Sequence, residues 1–296
     1  MRVLDSHLHL WDPSVLDYPW LEGPLRARFA AEEIAGTIGE VGDERGFVFV
    51  QADCLEAQYL DEIDWVTSLA EQVGVRGIVA GARLDRGAAT VRHLDAFAER
   101  PLVVGVRHLL QGEPDGFAAT PAFRAGAAAL AERGLTFDAC VRGEGQLRDV
   151  IRLAAELPEL RIVLDHLGKP AVGTAATPSL PSAEWANALT ALAAHSQVFC
   201  KLSGLPAEAR GSWSAEQTEP FFDVALEAFG PERLMVGSDW PVSAVTASGW
   251  NSGADAALDA GAIGAWADAV ASWAASRAVD GDAILWRNAE RFYRLS

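Results

Sequence analysis

Short apolar and β-branched runs recur along the chain, and the segments between them switch to a helical period. Eight runs stand out: 2–9 (RVLDSHLH), 46–52 (GFVFVQA), 76–83 (RGIVAGAR), 102–108 (LVVGVRH), 135–141 (LTFDACV), 161–167 (RIVLDHL), 197–204 (QVFCKLSG) and 233–240 (RLMVGSDW). Each is short enough for a strand buried in a parallel sheet. Between them, Leu60, Ile63, Val66, Leu69 and Val73 share one helix face, as do Leu147, Val150, Ile151 and Ala154. Similar stripes mark 121–133, 184–194 (Trp185, Leu189, Leu192) and 217–229 (Phe221, Ala225, Phe229), and 281–296 reads as a closing helix packed by Ile284, Leu285, Ala289 and Phe292. Eight such alternations with right-handed crossovers predict an α/β fold, a (β/α)8 TIM barrel, as one domain over 1–296.

Three stretches interrupt this rhythm: 12–33, the Pro/Thr/Ala-rich 170–182 and the Gly/Ser-rich 243–256. All follow strand ends, which in a barrel places them over the C-terminal mouth as either variable loops or a lid.

Composition narrows the function. A net charge of −17 and a pI near 4.7 oppose nucleic-acid and acidic-membrane partners, because phosphate neutralisation needs a basic face. The start, MRVLDSHLHLW, lacks the apolar run of an export signal, and no uninterrupted apolar stretch is long enough to span a bilayer. Cys54, Cys140 and Cys200 show neither pairing nor metal-knot spacing, which fits a reducing, cytoplasmic setting.

The polar residues that end the strands carry the candidate chemistry. His7 and His9 lie two apart on an extended run, so both imidazoles face one side and can share a metal or a substrate oxygen. Alone this is a weak signal, since a chance pair would be packed or solvated. In RIVLDHLGKP a strand runs into Asp165 and His166; alternation lets one of the two face the interior, and His166 is the more useful beside two other imidazoles. In RLMVGSDWP the last strand ends at Asp239, either a helix N-cap or a base beside His7 and His9, because strand eight closes on strand one. Arg107 and His108, Arg142, Lys201 and Gln51, with Arg83, are further polar strand ends suited to clamp a polyhydroxylated small molecule. Lys169 and Lys201 are the chain's two lysines among 24 basic residues.

Taken together, DSHLHLWDP with DYPWL, GVRHLLQ, FDACVR, VLDHLGKP, VFCKLSGL, FGPERLMVGSDWPV and NAERFY make the chain resemble the amidohydrolase superfamily, more narrowly its sugar-lactone hydrolase branch. The resemblance implies a barrel hydrolase of cytoplasmic carbohydrate metabolism that opens an aldonolactone with Asp239 as the water-activating base. His7, His9 and His166 would assist it, and Arg107, His108, Arg142, Lys201 and Gln51 would bind the substrate. The chain departs from the paired-metal members: no lysine precedes position 169 and neither the fifth run, with Asp138, nor the seventh, with Lys201, holds a histidine, so a binuclear centre is not expected. His7, His9, His166 and Asp239 suffice for one divalent metal such as zinc, while catalysis without metal stays open because a lactone is far more reactive than an amide. Two rivals share these features: a metal-dependent decarboxylase on the same barrel, and a barrel that only binds a sugar acid.

Overall fold

The computed structural model describes residues 1–35, 44–252 and 258–295. Eight parallel strands follow one another in chain order: β1 (Arg2–Leu8), β2 (Glu44–Val50), β3 (Val75–Gly81), β4 (Val103–Arg107), β5 (Thr136–Ala139), β6 (Ile162–Leu164), β7 (Val198–Leu202) and β8 (Leu234–Val236). The circle closes where the end of β8 returns to β1. Asp239 N donates to His7 O and His9 N to Trp240 O, both at 2.8 Å, and Ser6 Oγ donates to Val236 O at 2.7 Å. The expected TIM barrel is therefore present.

Side-chain alternation sorts each strand between two cores. Phe47 and Phe49 of β2 join the outer layer against the helices, while Val48 and Val50 point inward with Leu4, Val79, Val163 and Met235. The chain's end seals that inner core. Wide turns over Ala283–Arg287 continue into the helix Asn288–Tyr293, and Trp286, Ala289, Phe292 and Tyr293 plug the floor. Each large apolar side chain so buried stabilises the fold by about 1.5–3 kcal/mol. The expected closing helix is thus a barrel plug.

The helices Tyr59–Val73, Pro121–Glu132, Glu144–Glu156, Ala183–Ala193 and Ala215–Phe229 coincide with the periodic segments. Two others carry fainter sequence patterns. Ala88–Asp95 is short, and Ala262–Ser276 is so alanine-rich that its packing face rests on Ile263, Trp266, Val270 and Trp273, with Trp266 Nε1 bonded to Leu202 O at 3.0 Å. No described helix is long and apolar enough to cross a membrane.

Of the three interrupting stretches, 12–33 is tied down by a reciprocal pair of bonds between Trp11 and Phe29 at 2.8 Å and by edge contacts of Trp11 with Trp20 and Phe29. The second holds a two-residue hairpin, Gly173–Thr174 with Thr177–Pro178. The third contributes a turn and the helix Ala247–Ser252, and its last residues lie outside the described residues.

Candidate active site

At the C-terminal mouth of the barrel a cleft of about 520 Å³ opens, within the range of small-molecule sites. His9, His166, Arg107 and Asp239 lie in its lining, Arg142, Lys169, Glu208 and Arg210 bring charge to it, and Trp20 and Trp250 supply aromatic surface. His9, His166 and Asp239 meet at the cleft's inner end.

Strand alternation brings His7 and His9 to the same side of β1, and their Nε2 atoms stand 3.2 Å apart. His9 Nδ1 lies 2.7 Å from Val50 O, so it carries the proton and leaves Nε2 as the free lone pair. Gly237 permits β8 to approach: a Cβ there would come within 2.7 Å of His7 Cβ. Beneath the pair, Asp5 Oδ1 accepts from His7 N at 3.0 Å and Ser238 N at 2.8 Å, fastening β1 to β8, and burial pushes its carboxyl up to about 6.

Past β6 the chain abandons extended geometry. His166, Leu167 and Lys169 all take left-handed backbone angles, with φ of 53°, 54° and 57°. Such residues cost of order 1–3 kcal/mol each and persist where the surroundings hold them. This turn corrects the expectation that only one of Asp165 and His166 faces inward. Both do: Asp165 Oδ1 reaches His7 Nδ1 at 3.2 Å, and His166 points its Nε2 at Asp239 Oδ1, 3.7 Å away. His166 Nδ1 is 2.9 Å from Ser203 Oγ at the end of β7.

Asp239 also has a positive φ, 56°. Its Oδ2 accepts from Ser243 Oγ at 2.7 Å, while Oδ1 faces His9 Nε2 at 3.5 Å and His7 Nε2 at 3.8 Å. Burial alone would raise this carboxyl, but His166, His9 and the Ser243 hydroxyl outweigh it and hold it below the ordinary carboxylate value. Burial also drives His7 and His166 well below the ordinary imidazole value, and lowers His9, so the rings are neutral around an ionised Asp239.

These donors fit one divalent ion. Ligand atoms of a tetrahedral zinc with bonds of about 2.0–2.1 Å lie about 3.3 Å from one another, and the His7 Nε2, His9 Nε2 and Asp239 Oδ1 atoms are separated by 3.2 to 3.8 Å. His7, His9 and Asp239 form one such buried group and His7, Asp165 and His166 another, sharing His7.

The structure distributes the expected substrate-binding residues unevenly. Arg107 is in place: buried, its Nη2 donates to Gln51 O, its Nη1 lies 3.5 Å from His7 Nε2, and its Nε has no partner among the described residues. Arg142 lies on the rim in a two-bond pair with Glu208 at 2.9 and 2.7 Å. Three others do not reach the cleft. His108 turns outward against Phe117 and Phe123, with Leu84 N at 3.2 Å and Glu113 Oε1 at 3.3 Å. The Gln51 side chain folds back to accept from Asp53 N at 2.5 Å. Lys201 is fully buried one layer below, 2.5 Å from Asp138 and 3.0 Å from Asp165; burial opposes its charge, but the two carboxylates prevail and raise its pKa. Arg83 likewise pairs with Asp85 and Glu113 away from the cleft.

Lys169, by contrast, lines the cleft with its ammonium on Gln111 Oε1, and Trp20 and Trp250 complete a lining that sequence reasoning did not assign. The Gly-Lys-Pro after His166 was the available signal for Lys169 and DYPWL the one for Trp20, while Trp250 offered none.

Residues 4–295 match the family described as Amidohydrolase. The chain is 33% identical over 267 residues to the L-fucono-1,5-lactonase of Burkholderia multivorans (strain ATCC 17616 / 249), covering 83% of this chain and 84% of that one. It is 25% identical over 297 residues to the L-rhamnono-gamma-lactonase of Scheffersomyces stipitis, covering 83% and 87%. A crystal structure of an amidohydrolase from Burkholderia multivorans with bound zinc superposes over 100% of both chains, with a TM-score of 0.79 and 31% identity.

Proposed function

The chain belongs to the amidohydrolase family, and from that premise we propose that it opens a sugar-acid lactone to the free acid by water attack on the lactone carbonyl. The observation that carries the reading is the convergence of three neutral imidazoles on one oxygen of an ionised, buried Asp239 at the inner end of the cleft. Relatives with lactonase names at 25–33% identity support the choice of substrate class.

In this reading Asp239 Oδ1 takes a proton from the attacking water, whose oxygen forms the new bond to the carbonyl carbon. Ser243 holds the other carboxylate oxygen, so Oδ1 alone is presented. The Arg107 guanidinium, with an unpartnered Nε and an anchored Nη2, stabilises the charge that develops on the carbonyl oxygen. As the carbon to ring-oxygen bond breaks, Asp239 returns its proton to that oxygen, and the new carboxylic acid ionises. A divalent ion such as zinc, if held by His7, His9, His166 and Asp239, would polarise the carbonyl and acidify the water. Arg142 and Lys169 at the rim orient the hydroxyls, with Trp20 and Trp250 covering the ring's apolar face.

The test is a hydrolysis panel read with a pH indicator, comparing fucono-, rhamnono-, galactono- and xylonolactones with an unsubstituted lactone. Strong preference among sugar epimers is expected, because a mismatched hydroxyl leaves buried polar groups unpaired. An unsubstituted lactone or aryl ester as the best substrate would overturn the reading. So would carbon dioxide release from an acid with no lactone turnover.

A further inference from the structure

Directly beneath the imidazoles the barrel interior holds charges that this reaction does not use. The Lys201 ammonium of β7 has no solvent exposure. It lies 2.5 Å from Asp138 Oδ2 of β5, 3.0 Å from Asp165 Oδ1 past β6, and 3.1 Å from His7 Nδ1 of β1. Two carboxylate oxygens and an imidazole nitrogen from three separate strands thus converge on one point, and a nitrogen of the chain itself sits there.

Without the Lys201 ammonium, two carboxylates would face the single Arg107 guanidinium around that point. Asp138 Oδ1 and Asp165 Oδ2 have no hydrogen-bond partner among the described residues, and the Arg107 guanidinium stands 3.9 Å from Asp165 Oδ2. Tyr293, rising from the floor plug, donates to Asp138 Oδ2 at 2.7 Å but brings no charge. Buried carboxylates left without a cation are strongly disfavoured. Oxygen and imidazole donors around a vacated point are also a set that binds divalent ions. A lysine answers both conditions: it has three donors and no acceptor, and its stem keeps it permanently in place.

We propose that Lys201 is a tethered cation: its ammonium fills a buried site of Asp138, Asp165 and His7 Nδ1 that a free divalent ion would otherwise take, and it thereby positions His7 from below. Lys201 is then a positioning residue, acting through His7 and touching no substrate, because it lies outside the cleft. Filling the site covalently also leaves the imidazole cluster above as the place where an exchangeable ion can bind.

The experiment compares the full chain with Lys201→Ala after chelator treatment, by equilibrium dialysis against manganese(II) and elemental analysis. Lys201→Ala should hold one more ion per chain than the unaltered protein, and Lys201→Ala/Asp138→Asn should lose that gain. An unchanged ion count in folded Lys201→Ala overturns the proposal. If Lys201→Ala folds only with added manganese, regaining its near-ultraviolet circular dichroism, the proposal stands; failure to fold at millimolar manganese overturns it. The ion count does not depend on the lactone reading, so the two can fail separately. The kinetic arm does rest on that reading: kcat should fall about 10–100-fold, the usual effect of losing a group that orients a ligand-bearing histidine, with KM unchanged. A raised KM with normal kcat would mean that Lys201 touches substrate, and would overturn its positioning role.

Discussion

A methyl group added at Gly204 should disable the site while leaving the barrel folded. Gly204 follows β7 at φ +69°, and a Cβ there would lie 2.4 Å from His166 Nδ1, about 1 Å short of ordinary contact. The ring cannot yield freely, because Ser203 Oγ holds the same nitrogen at 2.9 Å and Asp239 faces the opposite one. Gly74 is the matched control, left-handed at φ +87° with nothing closer than 3.6 Å to a Cβ. Left-handed backbone costs an alanine about 1–2 kcal/mol at either position, and only Gly204→Ala must also displace a ring. A misplacement of about 1 Å in a reacting group can cost roughly a hundredfold in rate, or about 2.7 kcal/mol of barrier. Urea denaturation and lactone hydrolysis should therefore separate the two variants. Both lose the backbone increment in stability, while kcat/KM falls about a hundredfold in Gly204→Ala alone. If folded Gly204→Ala matched Gly74→Ala in kcat/KM, His166 would have no role in the chemistry.

Three further outcomes follow from the electrostatics and the placement of side chains. Burial pushes the Glu62 carboxyl up to about 7 from 4.5, so its ionised form burdens the fold: stability is complete below about pH 4.5 and falls as pH rises through 7. Glu62→Gln should accordingly stabilise the protein by up to about 3 kcal/mol at pH 8 and by nothing at pH 4, as measured by urea unfolding at both. Asp239 is held below its ordinary value of 3.8, and a base must be ionised, so the acid limb of kcat/KM should lie below that pH; a limb near pH 6 in the folded enzyme would contradict it. His108→Ala should leave KM and kcat near normal because the ring points away from the cleft, whereas Arg107→Ala should lower kcat by about 10²–10³, the usual loss of an oxyanion donor.

Much of this site was legible because residues two apart on an extended strand share a side. That rule placed His7 and His9 together, and closure of β8 on β1 brought Asp239 to them across the whole chain. The same rule, applied to Arg107 and His108, would have excluded His108, since neighbours on a strand point to opposite sides. Gln51 shares the parity of Phe47 and Phe49, which face the helices. Lys201 does point inward, with Phe199, but parity carries no depth, and its ammonium lies one layer below the mouth. Asp165 and His166 show the opposite failure. Alternation allows one of them inward, and the left-handed turn through His166 and Leu167 brings both. That conformation is held by tertiary contacts and leaves no trace in local propensity. The directions of Trp20 and Trp250 were illegible for another reason: loop residues have no periodicity from which to read one.

The central claim is that Asp239 activates water for attack on a sugar lactone. It is tested most directly by the turnover of Asp239→Asn on the sugar lactone the unaltered protein hydrolyses best, with circular dichroism as the check on folding. An amide nearly preserves the shape of the carboxylate but cannot accept the proton, so kcat should fall by at least about a hundredfold with the spectrum unchanged. Near-normal turnover by the folded variant would contradict the account.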